Sequence, residues 1–409
     1  MFRTLVTLAL TLSAGVMHAA DWPQFLGPTR DGVSTEAVAP WTAPPKVMWR
    51  QSLGEAHSSP VVAGGVVYAF FKPAGKNEDA LAAFRADTGD KLWQKSYARA
   101  AFTPLFGVGP RGTPAVDGNR VYTLGNTGVL ACWDAKTGDV AWKVDTLADF
   151  AAKNLFFGVS TSPIVVGDTV VVMVGGPEAG IVGFEKLTGK VSWKATGDPS
   201  SYAGPTLLTT DPKQLVTLTG THVRSLSPEG KVLWSFPFKD GLNESSTTPV
   251  RVGELVVASS VTAGSVAFKL PAADADPAAL PTRVWKNPAL TCYFSTPVPV
   301  GADLYMVNGQ ASLVNASITL RCVDSLTGKP RWERLKVGKY HAALLRTADG
   351  KLLMLDDLGN LKLIQPDPTG YNELATAKVC GETWAHPALS NGVAYVRDEK
   401  ELIAVKLAP

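Results

Sequence analysis

Charged residues are scarce in this chain of 409 residues. Lys, Arg, Asp and Glu make up 18% of it, and the formal net charge is +3. The Lys and Arg residues are scattered rather than clustered, so the electrostatic footprint of a nucleic-acid-binding protein is missing. The sequence therefore predicts no nucleic-acid partner. The low charge, together with 38 Gly, 29 Pro and 11 Trp, also argues against disorder, coiled coils and helical bundles.

Cysteine is equally sparse, with four residues at Cys132, Cys292, Cys322 and Cys380. An even number in an exported chain permits two disulfides, but a chain of this length does not need them to stabilise its core. The spacing contains no CxxC pair, and zinc ligands normally occur in such close pairs. We expect buried free thiols.

Long apolar runs are confined to the first twenty residues. Met1-Phe2-Arg3 precedes an apolar stretch from Leu5 to Met17, and Ala19-Ala20 precede the polar Asp21. This order is typical of a cleaved export signal, and no later stretch is long enough for a transmembrane helix. No cysteine lies at the junction for lipid attachment. The sequence predicts a signal peptide at 1–20 and a periplasmic or secreted protein.

What the sequence has in abundance is a repeated phrase in which a turn leads to a tryptophan. Each full copy places Gly four residues before Trp. The full copies run from Gly89 to Trp93, Gly138 to Trp142, Gly189 to Trp193, Gly230 to Trp234 and Gly328 to Trp332. Trp49 and Trp285 end similar phrases without the glycine, and Gly370 is followed at the same distance by Leu374. We expect these tryptophans to fill the gaps between repeated units rather than to act in catalysis.

A second phrase, in which a small or hydroxyl residue precedes proline, comes before each turn. Its prolines are Pro60, Pro114, Pro163, Pro205, Pro249, Pro297 and Pro387. The eighth copy is degenerate, with Ala343-Leu344 in the slot. Alternating apolar runs separated by Gly/Asn turns lie between the two phrases, which is the signature of β-hairpins.

Eight units of about 46 residues, each with four antiparallel strands, predict an all-β fold: an eight-bladed β-propeller. Residues 45–50 hold a fourth-strand phrase without preceding strands, and the last unit lacks one. We therefore expect the N-terminal strand to complete the final blade and close the ring. The predicted domains are the signal peptide (1–20), an N-terminal arm (21–44) and the propeller (45–409). Trp22, Phe25 and Trp41 should anchor the arm.

The phrases from Leu81 to Trp93 and from Leu130 to Trp142 resemble the repeat of bacterial PQQ-like propellers, and the resemblance covers residues 45–407. That superfamily contains quinoprotein dehydrogenases and the non-enzymatic BamB-like proteins of outer-membrane protein assembly. Two features differ. Quinoprotein dehydrogenases place an adjacent Cys-Cys pair against the quinone, and no two cysteines are neighbours here. BamB-like proteins are lipid-anchored through a cysteine after the signal, where this chain has Asp21-Trp22.

In a propeller, the loops that enter the innermost strands surround the mouth of the central channel. The residues three before each proline, with their polar neighbours, are therefore the candidate ligand- or partner-binding residues. They are His57, Arg111, Tyr202, Glu244, Phe294, Tyr340, His341, Glu382, Trp384 and His386. A metal site formed by the three histidines of this set is an open alternative, but histidine number alone does not fix coordination geometry, and we predict no metal.

These observations favour an exported, non-catalytic propeller that binds a protein or envelope component through the channel mouth. The alternatives are an oxidoreductase that uses PQQ with calcium at the mouth and a propeller that binds carbohydrate or a metabolite. No cofactor and no catalytic residue is predicted. We expect a monomer. Residues Ala272 to Pro281 form an inserted loop in blade 5 that could be a mobile segment or a contact arm.

Overall fold

A computed structural model describes residues 20–210, 212–271, 279–310 and 316–407. Within these ranges the chain forms 32 strands in eight antiparallel sheets of four, and one short helix. The expected eight-bladed propeller is thus confirmed. Most of the predicted signal segment (residues 1–19) and most of the predicted inserted loop (residues 272–278) lie outside the described residues.

The strands follow the chain from β1 (Lys46–Ser52), and each sheet is one blade. Blade 1 contains β2 (Val61–Ala63), β3 (Val66–Phe71), β4 (Glu78–Arg85) and β5 (Lys91–Ala98). Blade 2 contains β6 (Ala115–Asp117), β7 (Arg120–Leu124), β8 (Val129–Asp134) and β9 (Val140–Asp145), followed by α1 (Thr146–Asp149). Blade 3 contains β10 (Ile164–Val166), β11 (Thr169–Gly176), β12 (Ala179–Glu185) and β13 (Val191–Ala195). Blade 4 contains β14 (Thr206–Leu208), β15 (Gln214–Leu218), β16 (His222–Leu226) and β17 (Val232–Pro237).

The second half of the ring repeats the same order. Blade 5 contains β18 (Val250–Val252), β19 (Leu255–Ser260), β20 (Gly264–Lys269) and β21 (Thr282–Asn287). Blade 6 contains β22 (Val298–Val300), β23 (Asp303–Asn308), β24 (Ile318–Asp324) and β25 (Pro330–Gly338). Blade 7 contains β26 (Ala342–Arg346), β27 (Leu352–Asp356), β28 (Asn360–Gln365) and β29 (Asn372–Lys378). Blade 8 contains β30 (Ala388–Ser390), β31 (Val393–Arg397), β32 (Glu401–Lys406) and β1.

The ring closes because the first strand pairs with the last. Strand β1 is antiparallel to β32, with Val47 opposite Val405 and Trp49 opposite Ala404. The second and third strands of the blades are almost entirely buried, and the fourth strands are largely exposed. The apolar core therefore lies between neighbouring blades, where the two faces of each inner strand contact different blades.

The Gly and Trp of the repeated phrase meet across the blade boundary. A Cβ atom on Gly138 of blade 2 would come within 2.4 Å of the Trp93 ring of blade 1, and Gly189 stands in the same relation to Trp142. Gly138 also has a φ of +76°, a region that favours glycine. The Trp93 indole nitrogen donates a hydrogen bond to the Ala135 carbonyl at 3.1 Å. The fixed spacing thus encodes both partners of this contact. The glycine of one blade leaves a space, here called the glycine socket, that the tryptophan of the preceding blade fills. The expectation that these rings fill gaps between units is confirmed.

Blade 7 departs from this pattern differently from what its sequence predicts. Ala375, not Leu374, lies opposite Leu363, in the register that Trp332 takes opposite Cys322 in blade 6. The turn before it is two residues longer than in blade 6. As a result Gly370 lies five residues, rather than four, before the position that corresponds to tryptophan. Tyr371 then packs its ring edge-on against Trp332, at 6.1 Å between centroids, where blades 1 to 4 and 6 offer a glycine to the preceding tryptophan.

The N-terminal arm crosses the end of the channel where the innermost strands finish. Trp22 pairs with Val62 through two backbone hydrogen bonds of 2.8 and 2.9 Å. Further along, Val33 bridges to Arg346, and the Glu36 carboxylate accepts hydrogen bonds from the backbone of the β30–β31 turn. As expected, Trp22 and Trp41 are buried. The arm therefore closes one end of the channel.

The four cysteines are buried and free, as expected. Across the described ranges, none of the helical structure is long and apolar enough to cross a bilayer.

Candidate functional site at the channel mouth

One side chain from every blade lines a single cavity of about 400 Å³ at the open end of the channel. These side chains occupy the position three before the innermost-strand proline, or its equivalent in blade 7. They are His57, Arg111, Ser160, Tyr202, Ser246, Phe294, His341 and Trp384. A feature that recurs in the sequence thus becomes one ring of side chains in space. We call the face that bears it the mouth face and the opposite face the turn face.

Nine of the ten predicted site residues line this mouth cavity, because Glu244, Tyr340 and His386 join the ring members. Glu382 does not. It is exposed and lies outside the lining, although only one residue separates it from Trp384. The rings of His57 and Tyr340 lie nearly parallel to Trp384, at 5.4 and 5.6 Å between centroids.

Aromatic rings form a continuous wall on one side of the mouth cavity. Phe294 meets the Trp384 ring edge-on at 5.1 Å and stacks on Tyr293 at 3.7 Å. Phe106 approaches both Trp384 and Tyr340, at 5.9 and 6.2 Å. Such rings provide large apolar contact area with little side-chain entropy to lose on binding.

Arg111 holds two inter-blade loops in place. Its Nε donates to the Phe157 carbonyl at 2.9 Å, and its Nη2 donates to the Leu105 and Phe106 carbonyls at 3.1 and 3.0 Å. Its Nη1 also donates to Nδ1 of His57. Since arginine only donates, the neutral His57 ring carries its proton on Nε2. Burial, opposed by nearby Glu399 and assisted by Arg111, lowers the pKa of His57 to about 4.

Two further histidines lie deep in the mouth cavity. The rings of His341 and His386 are 5.3 Å apart, and burial lowers the pKa of His386 to about 4 and that of His341 well below its usual range. The Ser295 hydroxyl donates to the Ala342 carbonyl at 2.6 Å, so it accepts from Nδ1 of His341. His341 Nε2 is therefore an acceptor, and it has no hydrogen-bond partner among the described residues.

The hydroxyl residues before the prolines link the blades beneath this ring. The backbone N–H of His386 donates to Ser59, that of Ser59 to Thr113, and that of Thr113 to Ser162, at 2.8 to 3.2 Å. Gly204 interrupts the series because it has no hydroxyl.

The buried guanidinium of Arg30 lies at this interruption. It donates to the carbonyls of Ser162, Pro163 and Pro205 at 2.6 to 2.8 Å. Phe25 of the same arm lines the bottom of the mouth cavity and contacts His386 edge-on at 5.1 Å. The arm thus provides the floor of the cavity.

The rim of the mouth cavity contains residues that the repeat pattern did not identify. Leu105, Phe156 and Leu242 expose 53%, 69% and 49% of their surface and also line the cavity. They lie on the long loops between blades 1 and 2, 2 and 3, and 4 and 5. These loops have no repeated phrase, although the pairs Phe106-Gly107 and Phe157-Gly158 mark two of them in the sequence.

Glu244 is the carboxylate among the described lining residues, and Arg111 is the guanidinium. The Tyr293 hydroxyl donates to Oε2 of Glu244. Burial raises the pKa of Glu244, although the Tyr293 hydrogen bond opposes this. Within the described residues, no three His, Cys, Asp or Glu side chains are arranged to hold a metal ion.

A family model for outer membrane protein assembly factor BamB matches residues 30–102 and 76–334, which together make up most of the chain. BamB of Alkalilimnicola ehrlichii is 33% identical over 72 residues, which are 16% of this chain and 18% of that protein. Quinohemoprotein alcohol dehydrogenase ADH-IIG of Pseudomonas putida is 38% identical over 92 residues, which are 21% of this chain and 12% of that enzyme. The matched segments therefore span less than a fifth of these curated relatives.

A solved structure shows the similarity over the whole ring. BamB from Moraxella catarrhalis superposes with a TM-score of 0.61 at 15% identity, covering 89% of this chain and 98% of that one. At this level of identity the likeness concerns the fold alone.

Proposed function

Because this chain belongs to the family described as outer membrane protein assembly factor BamB, we propose that it is an exported, non-catalytic propeller that binds a protein of the cell envelope through its mouth face. The observation that supports this most is the combination of an aromatic cavity with an exposed apolar rim. Apolar side chains gathered around a concave site are typical of surfaces that another protein covers.

The three rim residues belong to different inter-blade loops, so a partner has to contact several blades at once. Leu105, Phe156 and Leu242 would lose their exposed surface on docking, and a side chain of the partner would enter the mouth cavity. Buried aromatic and arginine positions concentrate the energy of such contacts. The turn face has less freedom to encode a partner, because its turns, such as Asp134 to Gly138, are fixed by the glycine sockets.

The quinoprotein alternative takes its support from the similarity to the alcohol dehydrogenase. A calcium–quinone site needs six to eight oxygen ligands, several of them carboxylates, and cations for the acid groups of the quinone. The described lining offers a single carboxylate, Glu244, which a phenol already engages. Its arginine, Arg111, donates to backbone carbonyls and to His57. The described lining residues therefore do not fit a calcium–quinone cofactor.

Site-specific photo-crosslinking tests the proposal in cells. The photoreactive amino acid p-benzoylphenylalanine replaces Phe156 or Leu242 on the rim, and Lys136 or Lys190 on the turn face as matched controls. All four positions are exposed. We expect the two rim positions to crosslink the same envelope protein, identified by mass spectrometry, and the control positions not to. Crosslinks to that protein from the control positions alone would place the contact on the wrong face.

A separate assay addresses the alternative. The purified protein, incubated with PQQ and calcium, should gain no dye-linked alcohol or sugar dehydrogenase activity. Activity that is lost on Arg111→Ala or Glu244→Ala would contradict a non-catalytic role.

A further inference from the structure

The carboxylate of Glu244 is only half satisfied. Tyr293 donates to its Oε2, but the described residues offer no hydrogen bond to Oε1 and no Lys, Arg or His nitrogen within 4 Å of either oxygen. A partly buried carboxylate without a cation is costly, and its desolvation favours any positive group that reaches it. Its free oxygen belongs to a residue that lines the mouth cavity.

The wall beside Glu244 is suited to cations. Tyr293, Phe294, Trp384 and Tyr340 form one chain of ring contacts, with centroids 3.7 to 5.6 Å apart. The faces of such rings carry negative potential and attract ammonium groups. Lys339 already occupies a position of this kind, with its Nζ 4.8 Å from the centre of the Tyr340 ring.

Apart from Lys339 at the Tyr340 ring, the titratable side chains beside this wall do not oppose a cation. His57 and His386 are neutral near pH 7, because burial lowers the pKa of both to about 4. The positive charge of Arg111 is directed into the blade 1–2 loop, where it donates to the Leu105 and Phe106 carbonyls. Arg111 belongs to the entry of blade 2 and Glu244 to the entry of blade 5, so the two ends of the cavity differ in charge.

We propose that the mouth cavity is a receptor for an organic cation, presented as a lysine side chain of the protein partner. This rests on the proposed function and adds the chemistry of the residue that the partner inserts. The lysine stem would pack against Phe294 and Trp384, and its ammonium would donate to Oε1 of Glu244. Arginine fits less well, because a bidentate guanidinium would have to share Oε2 with the Tyr293 hydroxyl.

Calorimetric titration with short peptides tests this directly. The probe is Ac-Gly-Gly-Lys-Gly-Gly-NH2, and the control peptide replaces lysine by norleucine, which keeps the stem without the charge. We expect the lysine peptide to bind at least tenfold more tightly than the norleucine peptide. Glu244→Gln should weaken the lysine peptide at least tenfold. Glu229→Gln, which alters an exposed glutamate outside the lining, should leave its affinity unchanged.

Several results would overturn the inference. These are equal binding of the two peptides, no binding of the lysine peptide, or wild-type affinity in Glu244→Gln. Circular dichroism and a melting curve on each variant show whether it is folded, and Tyr293→Phe gives a second test. That variant keeps the ring but frees the second carboxylate oxygen, so it should improve the affinity of an arginine peptide relative to the lysine peptide.

The crosslinking experiment separates this inference from the proposed function. If position 156 crosslinks the partner equally with and without the Glu244→Gln substitution, the protein-binding role is supported. The inferred contact between a partner lysine and Glu244 is then wrong. If the lysine peptide binds but no partner is ever crosslinked, the protein-binding role is wrong, and with it the partner as the source of the lysine.

Discussion

The two ends of the central channel are built from the same eight blades, yet they are finished in different ways. At the turn face the chain closes the opening with its own arm, through backbone pairings such as Trp22 with Val62, and Arg30 of the arm reaches the floor of the mouth cavity. At the mouth face the opening is lined by one ring side chain from each of the eight blades, and its rim leaves Phe156 exposed. At the open end, His341 Nε2 has no hydrogen-bond partner among the described residues, and Glu244 accepts a side-chain hydrogen bond at Oε2 alone.

This difference separates stability from recognition. Backbone pairing and glycine sockets tolerate few substitutions, because they depend on main-chain geometry. One side chain per blade at the mouth can vary without disturbing the sheet that carries it. Substitutions at the closed end should therefore reduce stability and leave mouth binding intact, and substitutions at the mouth should do the reverse.

The largest effect should come from Arg30→Leu in the arm. It removes hydrogen bonds to the Ser162, Pro163 and Pro205 carbonyls and leaves these buried groups unsatisfied, which should cost about 4 kcal/mol. Urea denaturation measures the loss, with Arg85→Leu at an exposed strand position as the control. A loss no greater than that of the control would show that the arm contributes little to the ring.

Trp142→Ala should destabilise the protein by about 3 kcal/mol, the low end for a large aromatic residue, because the ring is half-buried. The substitution empties a socket on the circumference, against Gly189, and touches neither end of the channel. The free energy of unfolding should fall while crosslinking from Phe156 persists in the folded fraction. Loss of crosslinking at full folding would mean that the blades are coupled to the mouth.

The histidines between the two ends predict how stability depends on pH. A histidine whose folded pKa is lowered gives up stability as pH falls from its unfolded pKa of about 6.5 towards the folded value. For His386, with a folded pKa of about 4, the loss between pH 7 and pH 5 is about 2 kcal/mol. In His386→Phe the change in unfolding free energy between these pH values should be smaller by that amount. An unchanged pH dependence would contradict the burial of a neutral ring.

The smallest expected effect compares two glycines of blade 2. Gly118→Ala should cost about 1 kcal/mol, because its φ is +56° but nothing lies within 4 Å of the added Cβ. Gly138→Ala should cost about 1 kcal/mol more, because the new Cβ also meets Trp93. Thermal or urea unfolding of the two variants measures the difference. Equal losses would show that the socket adds nothing to the turn.

The sequence was sufficient for every feature that recurs. The spacing of Gly, Trp and Pro predicts the number of strands, the ring closure by residues 45–50 and the ring of mouth residues. It does so because each blade packs against its neighbours in the same way. Features that occur once could not be found this way. The sequence of the arm does not indicate that Arg30 ends inside the channel. The rim residue Phe156 lies on an inter-blade loop that carries neither of the two repeated phrases.

Errors occurred where the repeat was imperfect. In blade 7 a turn lengthened by two residues moved the tryptophan register from Leu374 to Ala375. Glu382 is close in sequence to Trp384 but is exposed outside the cavity lining, so its candidate role in partner binding stays a prediction. Sequence proximity does not fix side-chain direction in a loop as it does in a strand.

The pairing of β1 with β32 also sets an order on folding. Trp49 is made among the first residues of the propeller, whereas Ala404, opposite it, is made some 350 residues later. Until then β1 is an unpaired strand edge, which other chains can pair with. The arm contacts blades 7 and 8 as well as blades 1 and 2, so the channel floor also waits for the last blades. A chain that ends before blade 8 should therefore expose both an unpaired, aggregation-prone strand edge and an open channel.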